Sequence, residues 1–210
     1  LSSLPPDFPP GSRVAYNQTG YLLLAKLLRE RDGRTIEQYI YDEFAEPLGL
    51  ESFAFGDSRV VVPGRGSWYT RADFSSGIPV FGPPRPLWLE YPDYLRTAAG
   101  LNGTALDLAR FVAAVRSGQL AIGEGARQEM WNPVTLSDGR PARFEGSALF
   151  SALGWFVDDN PAHEVISSSG AASGAFKHYV AEELTVVVLT NLQGADPERL
   201  ADRIAQWFLP

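Results

Sequence analysis

The chain has 210 residues, 45% of them hydrophobic and 12% aromatic, enough to build a core as one large domain or two small ones. Its 18 Lys and Arg against 25 Asp and Glu give a formal net charge of −7, which argues against a nucleic-acid surface, because such a surface needs clustered cations to displace counterions. Cysteine is absent, which excludes disulfides, thiolate metal sites and thiol nucleophiles together; no apolar run approaches the roughly 20 residues of a membrane-spanning helix.

Leu1–Ser12 is proline-rich and reads as an extended lead-in, closed by a Pro9-Pro10-Gly11 turn. A helix follows from about Gly20 to Asp32, apolar almost all round through Leu28, so burial on most sides is expected. Gly33 suits its C-terminal stop. Thr35 with Gln38 forms a capping-box pattern for a second helix, which should end before Pro47. Residues 51–103 contain six prolines and scattered aromatics, Trp68, Trp88 and Tyr91 among them. So many aromatics argue against disorder, and the segment reads as a long ordered wall, plausible over a cleft. Thr104-Ala105-Leu106-Asp107 opens a helix to about Ser117 with Leu108, Phe111, Val112 and Val115 as its apolar stripe, and a shorter helix covers Glu124–Trp131.

The period then changes to that of strands. Phe150–Val157, Val165–Ser169, Gly174–Val180 and Thr185–Asn191 are expected as four antiparallel strands, with a hairpin turn at Ala181–Leu184. Asp196-Pro197-Glu198 starts a final helix whose Leu200, Ile204, Trp207 and Phe208 should pack on the sheet. The expected organisation is a mainly helical region over residues 1–135 and an antiparallel sheet with a C-terminal helix over 136–210, an α+β or split α/β domain.

Two segments carry candidate chemistry. Tyr16 lies at the mouth of the first helix, with Gln18 two residues on. A phenol with an ordinary pKa of about 10 is a poor base, but beside an ammonium it can shuttle protons. Gln18 offers an amide that can donate to a substrate carbonyl. The competing reading makes Tyr16 and Tyr21 packing aromatics at a helix start. The second segment is Ser168-Ser169-Gly170-Ala171, where small residues at the end of an edge strand let a substrate backbone approach. There the Ala171 N–H can serve as an oxyanion donor; the competing reading is a plain turn between strands. His163 and His178 are expected to be surface or strand-packing residues, with Lys177 on the face opposite His178. Asp158-Asp159 and Glu182-Glu183 are expected in solvated turns. No metal spacing and no cofactor motif is present.

Together these segments resemble the penicillin-recognising serine β-lactamase-like hydrolases, in the branch of class C β-lactamases, D-alanyl-D-alanine carboxypeptidases and related esterases. The tyrosine-x-asparagine element falls on Tyr16-Asn17-Gln18, and the third element, often histidine-x-glycine, on Ser168-Ser169-Gly170. Ala98–Leu101, Leu153–Phe156 and Leu184–Asn191 are similar to the family's connecting and strand segments. The resemblance implies an α+β β-lactamase/transpeptidase-like fold, acyl transfer through a serine ester, no cofactor, and a small ester or amide substrate. It further implies catalytic roles for Tyr16, Gln18 and Ala171, and substrate contacts from Ser168, Ser169, Gly170, Trp88 and Tyr91.

Three departures shape the expectation. Gln18 lengthens the amide arm by one methylene. Ser168 replaces a cation or proton relay with a neutral hydroxyl, favouring neutral esters over carboxylate-bearing substrates. No serine-x-x-lysine exists, since the two lysines, Lys26 and Lys177, follow Leu23 and Gly174 by three residues. The chain alone is therefore expected to be inactive, with the nucleophile and the first sheet strands on a segment outside it. That segment, or a second copy of the chain, is expected to cover an open apolar sheet edge. The alternative is a hydrolase-like binding module without turnover. The compartment is left open.

Overall fold

A computed structural model describes residues 5–73, 75, 77–160, 162–170 and 173–210. Ala171, expected to supply the oxyanion donor, lies outside them.

The first helix, α1 (Thr19–Asp32), stops at Gly33, whose φ of 79° suits glycine because no Cβ meets the carbonyl. It rests on α2 (Ile36–Ile40) and on a 3-10 turn at Asp93–Thr97. Those short elements cover too little of its apolar ring. Contrary to the expected burial, no residue of α1 is buried, and Leu23 and Leu27 stand 46% and 60% exposed.

Both arms of the Thr35 capping box form: Gln38 N–H donates to Thr35 Oγ1 at 3.2 Å, and Thr35 N–H to Gln38 Oε1 at 2.9 Å. The helix does not end before Pro47. It widens into a π turn at Tyr41–Ala45 and continues as α3 (Glu46–Leu48). That restart puts Pro47 in a first turn, where its missing N–H breaks no bond.

The proline-rich wall contains short strands that its composition hid. β1 (Ala54–Phe55) pairs with β4 (Leu101–Asn102) and closes the base of the segment, where Asn102 Nδ2 donates to the carbonyls of Ala54, Gly56 and Gly100. Between them β2 (Tyr69–Asp73) and β3 (Val80–Pro86) form a hairpin. β3 is the outer strand, the position in a sheet that tolerates Pro83, Pro84 and Pro86.

α4 (Ala105–Ser117) and α5 (Glu124–Trp131) take the expected bounds. Asp107 N–H donates to Thr104 Oγ1 at 3.2 Å, but the Asp107 carboxylate turns away from the cap and accepts from the Ser52 N–H and hydroxyl at 3.0 and 2.6 Å. These bonds and Arg110 hold its carboxyl below the usual range.

The main sheet runs β5 (Leu149–Ser151), β6 (Phe156–Asp158), β7 (Val165–Gly170), β8 (Gly174–Tyr179) and β9 (Leu184–Leu189) in that order, antiparallel throughout. The single strand expected over Phe150–Val157 is in fact two, folded back through Leu153-Gly154. Cross-strand partners share a face. Val157, Ile166, His178 and Thr185 face α4 and α5, in a core with Val112, Val115, Trp155 and Phe176. Phe156, Ser167, Lys177 and Val186 face the other way. Ile166 is fully buried; at roughly 25 cal/mol per Å² of apolar surface, this layer supplies the main stabilisation of the sheet.

After β9 the chain adds β10 (Leu192–Gln193), parallel to β2, and then α6 (Pro197–Ala205). Asp196 caps α6 through the Arg199 N–H at 3.2 Å. The expected packing face is corrected here. Fully buried Ala201 and Ala205 bring α6 close to the sheet beside Val165, Tyr179, Val186 and Val188. Ile204 joins that contact, whereas Leu200, Trp207 and Phe208 point outward, Trp207 being 79% exposed. Small residues allow the closer approach, and the bulky ones are rotated away from it.

Candidate active site

The tyrosine loop is built on a turn. Ser12 N–H donates to Pro9 O at 3.1 Å and Gly11 has φ of 78°, the pattern of a type II turn with glycine at its third position. Any side chain there would also strike Ser137, whose Oγ lies 2.4 Å from where a Cβ would stand. Gly11 O accepts from Ser137 N–H at 2.9 Å, so the turn is tied to the segment that precedes β5. Asn17 Oδ1 accepts from Gly20 N–H at 3.2 Å, close to the start of α1. Gln18 itself lies in the right-handed helical region and makes no capping bond with its side chain.

Tyr16 projects from this loop, 73% exposed. Its ring meets Phe144 edge-on at 6.2 Å and 71°, and Phe144 meets Phe156 at 5.9 Å and 70°. Phe156 is the register partner of Ser167 on β7. The aromatic row therefore leads from Tyr16 to the strand carrying Ser168-Ser169-Gly170.

β7 is not an edge strand as expected; it lies between β6 and β8. Its register with β6 nevertheless ends at Ser167, because β6 begins at Phe156. From Ser168 to Gly170 the strand pairs, among the described residues, with β8 alone. That leaves a short unpaired edge next to the end of the aromatic row at Phe156. Ser168 is half-buried and shares its face with Phe176, whereas Ser169 and Gly170 are exposed. The two hydroxyls thus leave the strand on opposite faces.

The wall approaches the same end of the sheet. Thr190, just beyond β9, donates through its N–H to Ser173 O at 2.7 Å, and Asn191 Nδ2 donates to Ser67 O at 3.0 Å. Leu192 pairs with Tyr69, Tyr69 with Pro86, and Trp88 follows two residues later. Trp88 is exposed and donates to Glu90 Oε1 at 2.6 Å. Tyr91 is half-buried; its N–H donates to Asp57 at 2.8 Å and its carbonyl accepts from Arg59. Asp57 also accepts from the Arg59 guanidinium, which holds its carboxyl well below the usual range. Burial, with the Asp57 charge, raises the Tyr91 phenol.

The other ionisable groups are engaged elsewhere. Lys177 reaches Asp202 at 2.5 Å and Asp158 at 3.8 Å, on the α6 side of the sheet. His178, nearly inaccessible on the opposite face, pairs through Nδ1 with Thr185 Oγ1 at 2.9 Å and packs on Trp131. Burial and the Arg116 charge depress its pKa. His163 is at 2.5 Å from Glu182 Oε1 and edge-on to Tyr179, whose phenol is pushed up to about 12 by burial and by Asp202. The acidic pairs are not simply solvated turns: Asp159 binds Arg143 and Glu183 binds Arg116. No cluster of metal-ligating side chains is found among the described residues, and none of their helices is long and apolar enough to cross a membrane. An open hollow of about 410 Å³ lies at Tyr41, Phe53, Phe55, Arg96 and Leu101, lined by none of the residues expected to carry chemistry.

The family model described as Beta-lactamase matches residues 1–209. The chain belongs to the β-lactamase family. Solved structures with the same fold include a penicillin-binding protein from Bacillus halodurans (TM-score 0.73, 17% identity, 96% of this chain and 59% of that one). A D-stereospecific amidohydrolase from Streptomyces sp. superposes with TM-score 0.75 at 19% identity over 98% of this chain and 58% of its own. EstCE1, a hydrolase with promiscuous acyltransferase activity, does so with TM-score 0.72 at 21% identity, over 93% and 56%. No curated protein sequence matches the chain. This β-lactamase-family chain thus spans 56% to 59% of the length of those three structures.

Sequence reasoning missed Phe144 and Phe156. Phe144 lies in an irregular stretch with no motif and Phe156 in a strand, and only their ring contacts across the fold connect them to Tyr16.

Proposed function

We propose that this chain supplies one side of the active site of a serine acyl-transfer hydrolase. The observation that supports the reading is the row of ring contacts from Tyr16 through Phe144 to Phe156, the register partner of Ser167 on the strand that carries Ser168–Gly170, in a chain of the β-lactamase family. A serine on a segment outside this chain attacks an ester or amide carbonyl, and a lysine of the same segment and Tyr16 move its proton. That proton passes to the alcohol or amine as its bond to the carbonyl breaks, and water then hydrolyses the serine ester to free the acid and restore the serine. Gln18, whose side chain is not used as a cap, orients the substrate, and the Ala171 N–H donates to the oxyanion. Ser168 and Ser169 contact the acyl part or leaving group, while Trp88 and Tyr91 line the wall.

The preferred substrate is a neutral ester or amide. Ser168 offers a hydroxyl where a cation would hold a carboxylate, and Lys177, one residue from its cross-strand partner Phe176, faces the other way and is ion-paired. A butyrate nitrophenyl ester should therefore be turned over by the protein that contains this chain faster than a chromogenic cephalosporin. The chain by itself should turn over neither. Turnover by the isolated chain would refute its catalytic incompleteness.

The segment that brings the nucleophile also covers apolar surface here. β9 (Leu184–Leu189) pairs with β8 alone, and the apolar face of α1 is open. A second copy of the chain is the other possible cover, and sedimentation of the isolated chain distinguishes them: a monomer favours the segment. The second functional reading, a binding module without turnover, is favoured by Ser168 and by the lack of serine-x-x-lysine. Inactivity of the longer, folded protein on both substrates would select it.

A further inference from the structure

We infer that Phe144 is a positioning residue that fixes the orientation of the Tyr16 ring relative to the sheet, to which Phe144 is linked through Phe156; this rests on the acyl-transfer reading above. Tyr16 is largely exposed and its loop has no regular hydrogen-bond ladder, so nothing local fixes its ring. Such a ring would sample several rotamers unless something outside the loop selected one. Phe144 does so edge-on, a geometry whose attraction falls off when either ring turns.

Phe144 is itself held. It is half-buried and stacks edge-on with Phe156, the first residue of β6 and the register partner of Ser167 on β7. Its neighbour Arg143 is bridged to Asp159 at 2.8 Å and lies over the Phe150 ring at 4.1 Å. Arg143 also pairs with Phe150 across an isolated bridge, and Thr135 with Pro141 across another. The segment of residues 135–144 is thus fastened to β5, and it holds the tyrosine loop at two points, Gly11 through Ser137 and Tyr16 through Phe144. A shift of about 1 Å in a proton-transferring group can cost on the order of a hundredfold in rate. The aromatic row is the part of this chain that prevents such a shift.

The test uses the longer protein that contains this chain, with nitrophenyl butyrate as substrate and a fluorophosphonate to titrate active sites. Phe144→Ala should lower kcat per titrated site by about tenfold or more, leave KM within about twofold, and move the pH profile of kcat. Phe144→Tyr, which keeps the ring, should restore kcat to within about twofold. Phe144→Leu, which keeps bulk but not the ring edge, should behave like the alanine variant and serves if that one does not fold. Unchanged kcat per titrated site and an unchanged pH profile in the alanine and leucine variants would overturn the inference. Fluorotyrosine placed at position 16 gives a readout independent of turnover: a single displaced fluorine resonance in the parent should relax to the free-tyrosine position in Phe144→Leu. A resonance indifferent to Phe144 overturns the positioning role. A responsive resonance in a protein that neither labels nor hydrolyses upholds that role and fails the acyl-transfer reading instead.

Discussion

The sheet layer and the tyrosine loop with α1 are built on opposite terms. In the sheet layer, strands β7, β8 and β9 bury apolar residues on both faces, under α4 and α5 on one side and α6 on the other. In α1 no residue is buried, although Tyr21–Ala25 and Leu27–Leu28 are apolar. The sheet layer is held by contacts on both faces, whereas α1 leaves Leu23, Leu24 and Leu27 exposed. The part that carries Tyr16 is therefore the part least supported by this chain alone.

The largest expected effect tests the functional side of that contrast. In the longer protein, Tyr16→Phe should reduce ester turnover by about a hundredfold or more, with little loss of stability, because the lost hydroxyl belongs to an exposed ring. Near-normal steady-state rates would end its proton-transfer role. On the structural side, Ile166→Ala in this chain should cost about 2–5 kcal/mol in urea unfolding, since the side chain is fully enclosed. A cost below 1 kcal/mol on the order-of-magnitude scale for core truncation would mean that the sheet layer is looser than its burial implies.

Histidine 178 gives a pH handle on the same layer. Its folded pKa is depressed, so the unfolded chain binds the proton more readily. The neutral ring's stabilisation is intact above the unfolded value, near 6.5, and is lost as pH falls below it toward the folded value. Stability should fall in that window by at most about 1.4 kcal/mol per pH unit from this group. His178→Gln should flatten that slope in parallel urea titrations; equal slopes would dismiss the residue as the cause.

Smaller effects belong to the helical side. Thr35→Ala should cost about 1 kcal/mol by removing the hydroxyl that accepts from the Gln38 N–H at the start of α2, measured by thermal unfolding. Leu24→Ala, on the open face of α1, should change the stability of the isolated chain by no more than about 0.5 kcal/mol. In the longer protein the same substitution should cost several times more. Equal small costs in both would mean that no segment covers that face.

Much of this was legible in the sequence where a local rule acts alone. The Thr35 and Thr104 caps, the Asp196-Pro197 start of α6, the Gly33 stop and the β8–β9 hairpin follow from side chains a few residues apart. Elements set by distant partners were not legible. The β2–β3 hairpin was hidden by prolines that an outer strand tolerates, and β5 and β6 looked like one strand because Gly154 alone marks their fold. Apolar periodicity misled for α1 and for Trp207 and Phe208, since it reports the need for burial and not its fulfilment within this chain. For the site, Tyr16 and Ser168–Gly170 could be picked out by residue type, but Phe144 could not.

The parallel pairing of β10 with β2 has a consequence in time as well as in space. It joins residues 192 and 193 to residues 69 and 70, and the Asn191–Ser67 bond spans 124 positions. Closing so long a loop carries an entropic cost that must be met before the contact gives anything back. On the ribosome, the hairpin is made early but has no strand to lean on until nearly the whole chain has emerged. The wall beside the candidate site is thus expected among the last parts to lock, and loss of the final twenty residues would leave it unfastened and would also strip α6 from the sheet.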